Sequence, residues 1–475
     1  MSISPQFQRY RDICPDWPAF VASLEKPLPT TLWVNTRAIP SAALLDLMPW
    51  PQESVQPLSW RPDAFRVPEA SRPGTQPEYL AGFYHLQEEV SMIPPLLLDP
   101  QPGERVLDLC AAPGNKTMQI ALAMQNQGTV VGHDWNFNRL RILRSHSQRL
   151  GLSIISTALG NGAHFKGADG FFDRVLVDAP CSCEGTVRKN PRIMYHQQQP
   201  GALLYNGIQL AILQRAVEAC RPGGRIVYST CTFRPEENEV VIDRILKAHP
   251  DLDVLPVVVP GLNHSSGLTA FEQETFDPRV ARALRIWPHQ NDSGGFFICV
   301  LVKGPGPAYR LPLRKTEDQV GINELAFLQE RFDFPAAIWD THTIFHRTPK
   351  KLSYHPVPHE IPETLRLEEL GQNFMKINFQ FPKLSTAAAR IWGLTARKNR
   401  VHLNRTQFMA YAKGEDLFLS EAEASDIESD GYVIALYAGA VMGLGLVQRR
   451  EGVYRLRSLF PRDWSQLAEP LKDEE

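Results

Sequence analysis

Two cysteines and two aspartates stand where predicted strands end. Apolar runs typical of buried strands lead into Asp178 and then Cys181, and another leads into Cys231. A further run leads to a turn at Gly114, and the next ends at Asp134. Because ligands of an open α/β sheet bind outside the carboxyl ends of its strands, these residues are expected to meet at one rim. A cysteine thiolate at such a rim can act as a nucleophile or bind a metal.

The turn at Gly114 is predicted to hold a nucleotide-like ligand. A strand pattern at 105–110 runs into this turn, and a helix pattern follows from about 116. The glycine lets the backbone approach a ligand, and free N–H groups at the helix start can bind its polar groups. Asp134 follows about twenty residues later, where an acidic side chain can hold ribose hydroxyls. The G-x-G-x-x-G fingerprint is absent, so a nicotinamide cofactor is not expected; a βαβ core without a ligand is the alternative.

Alternating strand and helix patterns must position these residues. They predict an α/β fold with a mostly parallel sheet between about 76 and 305, closed by an antiparallel pair at 282–286 and 296–300. The strands are predicted near 105–110, 129–134, 153–157, 173–178 and 224–230, and the helices near 116–126, 136–150, 203–220 and 235–248.

Three ordered motifs in this domain resemble the Nol1/Nop2/Sun family of RNA cytosine-5 methyltransferases. The motifs are Asp108-Leu-Cys-Ala-Ala-Pro-Gly-Asn-Lys116, Asp178-Ala-Pro-Cys-Ser182, and Ser229-Thr-Cys-Thr-Phe233 followed by Pro235-Glu-Glu-Asn238. Segments 31–36 and 87–92 also resemble that family. The resemblance covers about the first 305 residues. It implies a Rossmann-like domain that uses S-adenosyl-L-methionine to methylate carbon 5 of a cytosine, with 16S ribosomal RNA as the substrate.

Such a reaction needs an activated thiol. Carbon 5 of cytosine is a poor nucleophile, and a thiolate that adds at carbon 6 makes an enamine that can attack a methyl group. The resemblance implies that Cys231 is the nucleophile, that Cys181 assists product release and that Asp178 contacts the base. It implies a site role for Lys116 without choosing between base and cofactor. A helix from about Pro235 is expected to lower the pKa of the Cys231 thiol.

The resemblance also implies the residues that hold the methyl donor. One departs from the family, because Asn161 stands where an aspartate usually reads the adenine amino group; weaker cofactor affinity is expected. The target cytosine is expected to be unpaired or flipped out. The predicted cofactor residues are Cys110, Ala111, Ala112, Pro113, Gly114, Asn115, Lys116, Asp134, Asn161 and Asp178.

Clustered basic residues are the predicted RNA contacts, because phosphate attraction combined with stacking surfaces is a common way to hold RNA. A solvated charged face is the alternative. The glycine placement between 431 and 460 resembles PUA-like RNA-binding barrels. The predicted contacts are Arg188, Lys189, Arg192, Arg390, Arg397, Lys398, Arg400, Arg405, Arg449 and Arg450.

Four segments are predicted along the 475 residues. They are a small N-terminal α/β domain at 1–75, the methyltransferase domain at 76–305, a linker with a small α/β domain at 306–380 and a PUA-like β-barrel at 381–475. The 50 basic and 52 acidic residues give a net charge of −2. Any RNA contact must therefore come from local patches rather than from overall charge.

The composition also limits compartment and partners. No apolar signal segment opens the sequence, so a cytoplasmic protein with reduced thiols is expected. The longest uncharged stretch, 431–447, is too short and glycine-rich for a membrane span, and no membrane partner is expected. A metal site from Cys181, Cys183 and Cys231 is not expected, because Cys-x-Cys lacks the usual spacing and no second pair follows. Cys183 stays without a role, and a monomer is expected.

Two other classes of function stay open. The same chemistry could act on transfer RNA or DNA, or the chain could be a non-catalytic RNA-binding or ribosome assembly factor on this scaffold. The paired cysteines favour an enzyme. The sequence does not identify the target nucleotide, and it does not distinguish naked RNA from an assembled small subunit as the substrate.

Overall fold

The computed structural model describes residues 5–193, 202–307, 309–317, 319–320, 325–377, 383–450 and 452–466. The strands are β1 Thr30–Val34, β2 Gln56–Leu58, β3 Arg61–Val67, β4 Tyr84–Leu86, β5 Arg105–Asp108, β6 Thr129–Asp134, β7 Ile155–Leu159, β8 Phe172–Asp178, β9 Cys220–Thr230, β10 Leu252–Val254, β11 Ser265–Ser266, β12 Ala270–Phe271, β13 Glu274–Thr275, β14 Leu284–Ile286, β15 Phe296–Lys303, β16 His342–Thr348, β17 Lys351–Pro356, β18 Gln372–Lys376, β19 Lys383–Leu384, β20 Arg400–Leu403, β21 Leu417–Leu419, β22 Gly431–Tyr437, β23 Ala440–Arg450 and β24 Val453–Ser458. The α-helices are α1 Pro5–Gln8, α2 Trp17–Leu24, α3 Ser41–Leu47, α4 Pro77–Leu80, α5 Ile93–Leu98, α6 Asn115–Ala123, α7 Phe137–Leu150, α8 Ala202–Ala219, α9 Glu239–Ala248, α10 Pro288–Asn291, α11 Ala326–Phe332, α12 Thr386–Trp392, α13 Arg405–Ala412 and α14 Arg462–Gln466.

A large central sheet runs in the order β11-β14-β15-β9-β8-β5-β6-β7, with β10 beside β15. The strands from β9 to β7 are parallel, and β15 is antiparallel to β9. This confirms the α/β fold and the antiparallel closing pair. The chain winds from β5 to β7 on one side and returns to β8 on the other. That reversal makes a crevice at the carboxyl ends of the strands, where such sheets bind ligands.

The segment after β9 differs from the predicted helix at 235–248. A 3-10 turn occupies Pro235–Glu237, and α9 starts only at Glu239. Asn238 separates the two, with φ −114° and ψ −94°. Its side chain accepts a hydrogen bond from the Thr230 hydroxyl and donates one to the Thr232 carbonyl. These tertiary contacts hold the backbone of Asn238 outside the helical region.

The N-terminal sheet, ordered β2-β3-β1-β4, extends past the predicted limit at residue 75. Strand β4 belongs to it because β4 pairs with β1. This pairing places two side chains of the N-terminal sheet against α6. His85 Nε2 lies 3.0 Å from Asn115 Oδ1, and Gln119 donates to Gln87 Oε1 over 2.6 Å.

The C-terminal half contains two further sheets, β16-β17-β18-β19 and β20-β22-β23-β24-β21. Strand β22 lies in the segment whose glycine placement resembles PUA-like barrels. A PUA-like barrel stays a prediction. Within the described ranges, no helix combines the length and apolar composition that crossing a membrane requires.

The two ends of the chain share a hydrophobic core. Leu32 and Phe83 of the N-terminal part pack in one cluster with Val401 and Val433 of the C-terminal sheet and with Phe408 of α13. The C-terminal half also covers the edge of the central sheet, where Thr157 of β7 and Glu369 exchange backbone hydrogen bonds. The N-terminal and C-terminal parts of the chain therefore pack against each other, and the C-terminal half packs against the central sheet.

Candidate active site

Three thiols converge at the carboxyl ends of β8 and β9. The Sγ atom of Cys181 lies 3.4 Å from that of Cys231 and 4.0 Å from that of Cys183. All three sulfurs lie within 4.8 Å of one another. The structure thus brings together the two cysteines that the sequence singled out. It adds Cys183, which the sequence left unassigned although the Cys-x-Cys spacing was visible.

The Pro-Glu-Glu-Asn segment positions the two cysteine loops. Glu237 accepts hydrogen bonds from the Ser182 backbone N–H and from the Gln209 side chain, over 3.0 and 2.9 Å. The Ser182 and Thr232 hydroxyls lie 2.7 Å apart, which joins one loop to the other. The Gly185 N–H donates to the Cys231 carbonyl over 2.8 Å. Together, these hydrogen bonds hold the two cysteine loops at a fixed separation.

Residues that follow the two N-terminal helices brace the same loop from outside. The Tyr10 hydroxyl and the Arg234 guanidinium both donate to the buried carboxylate of Glu184, over 2.5 and 2.8 Å. The side chain of Arg188, only 1% exposed, donates to the carbonyls of Lys26, Pro27 and Ser293 and to Asp292. Arg188 was predicted to contact RNA. Its guanidinium is instead committed to the fold, so we exclude it from the RNA surface.

The three thiols influence one another's ionisation. Hydrogen bonds with Cys181 and Cys231 lower the pKa of Cys183. Hydrogen bonds to Cys183 and Cys231, together with burial, raise the pKa of Cys181. The hydrogen bond with Cys181 favours the Cys231 thiolate, but Cys183, burial and Asp178 outweigh it and raise the pKa of Cys231. The predicted lowering of the Cys231 pKa by a helix terminus is therefore not seen.

An ion pair lies beside the thiols. Lys116 Nζ is 2.6 Å from Asp178 Oδ2, and the Ser229 hydroxyl donates to Asp178 Oδ1 over 2.7 Å. Burial disfavours the Lys116 ammonium, but the charge of Asp178 outweighs burial and raises the pKa of Lys116. The lysine thus stays cationic next to the site and holds one oxygen of the aspartate.

The turn before α6 is shaped for close approach of a ligand. Gly114 has φ +111°, and a Cβ atom there would lie 2.9 Å from Leu143 Cγ, so a side chain would both strain and clash. The Ala112 carbonyl accepts from Arg139. A small cavity opens beside the turn and includes most of the predicted cofactor residues. It is lined by Gln87, Ser91, Asp108, Cys110, Ala111, Ala112, Pro113, Asn115, Lys116 and Asp178.

Asp108 at the end of β5 is a site residue that the sequence reasoning missed. Its Oδ2 accepts from the Thr117 hydroxyl over 2.7 Å, whereas its buried Oδ1 has no hydrogen-bond partner in the described part of the chain. Burial raises the pKa of this carboxyl to about 7. A buried acceptor without a partner fits a cationic group of a ligand. Its position at the end of the strand that leads into the Gly114 turn could have identified Asp108 from the sequence.

Asp134 and Asn161 lie at the ends of β6 and β7 as predicted, but both side chains already accept hydrogen bonds from the protein backbone. Asp134 is buried and accepts the backbone N–H groups of Ala112 and Asn136, over 3.1 and 2.9 Å. Asn161 is exposed and its Oδ1 accepts from the Ala163 N–H over 2.9 Å. Each oxygen keeps a second lone pair for a ligand.

Two apolar side chains also stand near these strand ends. Trp135, directly after β6, is 70% exposed, and Leu159 at the end of β7 is 41% exposed. Their exposure makes them candidates to contact a flat ring. The sequence reasoning missed them because it treated this region only as strand and helix.

The predicted basic contacts divide into committed and available side chains. Arg390 donates to the Ala81, Leu80 and Arg149 carbonyls, and Arg405 pairs with buried Glu78. Both join the C-terminal half to the rest of the chain. The Arg390 guanidinium is committed to backbone carbonyls, whereas the Arg405 side chain stays 45% exposed and remains a predicted RNA contact. Lys398 and Arg400 lie 3.1 and 2.8 Å from carboxylate oxygens. The exposed residues among the predicted contacts are Lys189, Arg192, Arg397, Arg405, Arg449 and Arg450. Arg397 lies 4.0 Å from an Asp333 carboxylate oxygen.

Comparison with known proteins tests the family resemblance. The model of the 16S rRNA methyltransferase RsmB/F family matches residues 95–302, and the model of the N-terminal domain of 16S rRNA methyltransferase RsmF matches residues 5–89. The chain belongs to the RsmB/F methyltransferase family. It is an enzyme of the rRNA cytosine-C5 methyltransferase class, and the predicted resemblance is confirmed.

The share of a relative's length that this chain matches differs between relatives. The chain is 28% identical to ribosomal RNA small subunit methyltransferase F of Klebsiella pneumoniae over 94% of this chain and 92% of the relative. It is 36% identical to 28S rRNA (cytosine-C(5))-methyltransferase of Mus musculus over 60% of this chain and only 36% of the relative. A methyltransferase homolog from Pyrococcus horikoshii has a TM-score of 0.53 and 30% identity over 63% of this chain and all of that structure.

Proposed function

We propose that this chain methylates carbon 5 of a cytosine in 16S ribosomal RNA, with S-adenosyl-L-methionine as donor and a covalent bond between Cys231 and carbon 6 as intermediate. One observation carries the proposal: two thiols 3.4 Å apart lie beside the Lys116–Asp178 ion pair and next to the cavity at Gly114. The bacterial relative matched along most of its length is named for the small subunit, which supports 16S rRNA. The name of the mouse relative supports carbon 5.

The turn at 110–116 would hold the donor. Asp108 Oδ1 is the partner we assign to its ammonium group, because this buried acceptor lines the cavity without a partner among the described residues. Asp134 would hold the ribose hydroxyls and Asn161 the adenine amino group, each through its remaining lone pair. When bound, S-adenosyl-L-methionine supplies an electrophilic methyl group.

The chain's own groups would carry the remaining chemistry. The Cys231 thiolate forms a bond to carbon 6 and makes carbon 5 nucleophilic. Asp178 orients the base. After methylation, Cys181 assists removal of the carbon 5 proton, and cleavage of the carbon–sulfur bond restores Cys231.

Exposed cations would hold the RNA around this site. Lys189 and Arg192 follow the Cys181 loop directly, and Arg397, Arg405, Arg449 and Arg450 form the C-terminal part of the surface. We infer that the target cytosine is unpaired or flipped out, because a stacked base cannot reach a thiol in a crevice. We also propose that the protein acts in the cytoplasm as a monomer, on 16S rRNA either naked or within the small subunit.

Covalent trapping tests the proposal. Wild type, Cys181→Ala and Cys231→Ala are incubated with total bacterial RNA and labelled S-adenosyl-L-methionine, then resolved on denaturing gels. We expect label in small-subunit rRNA with wild type, a protein–RNA band with Cys181→Ala, and neither with Cys231→Ala. A trapped adduct with Cys231→Ala would exchange the two roles, as in DNA cytosine-5 methyltransferases. Label confined to transfer RNA would show that transfer RNA, and not 16S rRNA, is the substrate. Absence of label in every RNA would contradict the catalytic function and favour a non-catalytic RNA-binding factor.

A further inference from the structure

Cys183 has no part in the proposed methyl transfer, yet its side chain stands at the centre of the site. Its φ of +57° lies in the left-handed region that glycine adopts without strain and other residues adopt at a cost. Its sulfur lies 4.0 Å from that of Cys181. The chain therefore keeps a thiol in a strained turn where glycine would fit more easily. This combination points to a use for the sulfur itself.

The three sulfurs have nearly the separations of metal ligands. A tetrahedral zinc ion with zinc–sulfur distances of about 2.3 Å holds its sulfurs about 3.8 Å apart. The Cys181 sulfur lies 3.4 Å from that of Cys231 and 4.0 Å from that of Cys183, and no pair exceeds 4.8 Å. Small side-chain rotations would bring all three around one ion. Cys183 and Cys231 are half-buried, so an ion can enter and a fourth position stays open.

Ligand type and local charge favour the same ion. Thiolates select soft cations and Zn²⁺ over Mg²⁺ or Ca²⁺. Three thiolates and one divalent ion leave a single negative charge, and Lys116 and Arg139 supply positive charge beside Cys231 and Cys183. The sequence argument against this three-cysteine site rested on the Cys-x-Cys spacing and on the lack of a second pair. It could not show that the fold brings the three sulfurs within 4.8 Å of one another.

We propose that Cys181, Cys183 and Cys231 together bind one Zn²⁺ ion, and that its binding reversibly blocks methyl transfer. The ion would occupy the sulfur that must attack the base, and the thiols would release their protons on binding. The inhibitory consequence rests on the proposed function, whereas the metal site itself does not.

Cobalt, a spectroscopic substitute for zinc, tests the site without any methyl transfer. Reduced full-length chain is titrated with Co²⁺ in a phosphine reductant. We expect one ion per chain with thiolate-to-cobalt charge-transfer absorption in the near ultraviolet. Cys183→Gly should lose about a third of that absorption. It should also bind at least about tenfold more weakly, because even changes outside the ligand shell cost about 10- to 100-fold in affinity.

Cys220→Ala is the matched control, because Cys220 lies at the opposite end of β9 from Cys231. It should leave the cobalt spectrum unchanged. Cys183→Gly should also fold, since glycine relieves the left-handed backbone, and its unfolding midpoint without metal checks this. Absence of thiolate charge transfer in wild type, or an unchanged spectrum in Cys183→Gly, overturns the metal site.

The second arm measures methyl transfer with added Zn²⁺. Wild type should be inhibited and recover on addition of a chelator. Cys183→Gly, which keeps both thiols assigned to the reaction, should need at least about tenfold more Zn²⁺ for half inhibition. Equal sensitivity of the two proteins overturns the inhibitory site. If no RNA is methylated by either protein, the proposed function fails, and the cobalt spectrum still decides the metal site.

Discussion

At the scale of single residues, the ionisation of Asp108 should control the affinity for the methyl donor. Burial raises its pKa to about 7, so the carboxyl is largely protonated below pH 7 and cannot pair with an ammonium group. Affinity for S-adenosyl-L-methionine should therefore fall as pH drops below 7, by at most about tenfold per pH unit, and level off above pH 8. Isothermal titration calorimetry between pH 5.5 and 8.5 measures this profile.

Asp108→Asn is the matched variant because it keeps the shape and removes the charge. It should bind the donor about 10- to 100-fold more weakly at pH 8, the loss expected for a charged hydrogen bond of about 1.5–3 kcal/mol. Its affinity should change little across the same pH range. A wild-type profile equal to that of the variant would show that Asp108 does not pair with the donor.

Residue types predicted this site better than residue charges predicted the RNA surface. Cys181, Cys231 and Asp178 could be found because they follow apolar strand patterns, and parallel strands must end at one rim. The guanidinium groups of Arg188 and Arg390 are committed to backbone carbonyls, and a cluster of basic residues in the sequence does not reveal such partners.

At the scale of elements, a buried ion pair holds α9 against β14 and supports the Cys231 segment. The Arg285 guanidinium donates one hydrogen bond to each carboxylate oxygen of Glu239, over 2.6 and 2.7 Å. It donates a third to the Phe233 carbonyl over 2.9 Å. Glu239 is fully buried. Glu239→Ala should leave the guanidinium buried without its partner and lower the free energy of unfolding by about 3–5 kcal/mol. Urea unfolding followed by circular dichroism measures the loss.

The same helix offers the control. Lys247 pairs with Asp243 over 2.6 Å, but the lysine side chain is 62% exposed. Lys247→Ala should cost less than about 1 kcal/mol, as exposed pairs do. If Glu239→Ala costs no more than Lys247→Ala, the buried pair does not hold α9 in place.

Strands and helices with a regular pattern of apolar residues could be predicted from the sequence, but their first and last residues were harder to predict. Strand β6 at Thr129–Asp134 and helix α7 at Phe137–Leu150 lie at or within one residue of their predicted positions. The helix predicted from Pro235 failed at Asn238, whose side chain bonds Thr230 and Thr232. Local patterns carry no information about such contacts, because they depend on how the neighbouring loops fold.

At the scale of the whole molecule, the chain closes on itself, and this could not be predicted from linear segments. Tyr437 donates to the buried carboxylate of Glu78 over 2.8 Å, and its ring stacks on Phe83. The N-terminal and C-terminal parts thus share both apolar and polar contacts. Because these contacts fix the C-terminal sheet relative to the central sheet, the exposed cations of β23 keep a set position with respect to the thiols.

This fixed placement makes the RNA surface testable with two side chains of one strand. Arg449 and Arg450 are exposed at the end of β23. Replacing both by Gln should weaken binding to 16S rRNA. It should also reduce the slope of log K against log salt by about 0.7 for each phosphate of single-stranded RNA that is no longer neutralised. Binding is measured by filter retention between about 50 and 300 mM salt, the range over which this slope is resolved, with metal-free, reduced protein.

Arg455→Gln serves as the control on the neighbouring strand, because Arg455 is also exposed but pairs with Asp416. Its charge is already offset, so its loss should change the salt slope by less than the loss of either β23 arginine. Equal slopes for wild type and the double variant would remove β23 from the RNA surface. We would then expect RNA to be held by Lys189 and Arg192, because these exposed cations follow the Cys181 loop directly in the chain.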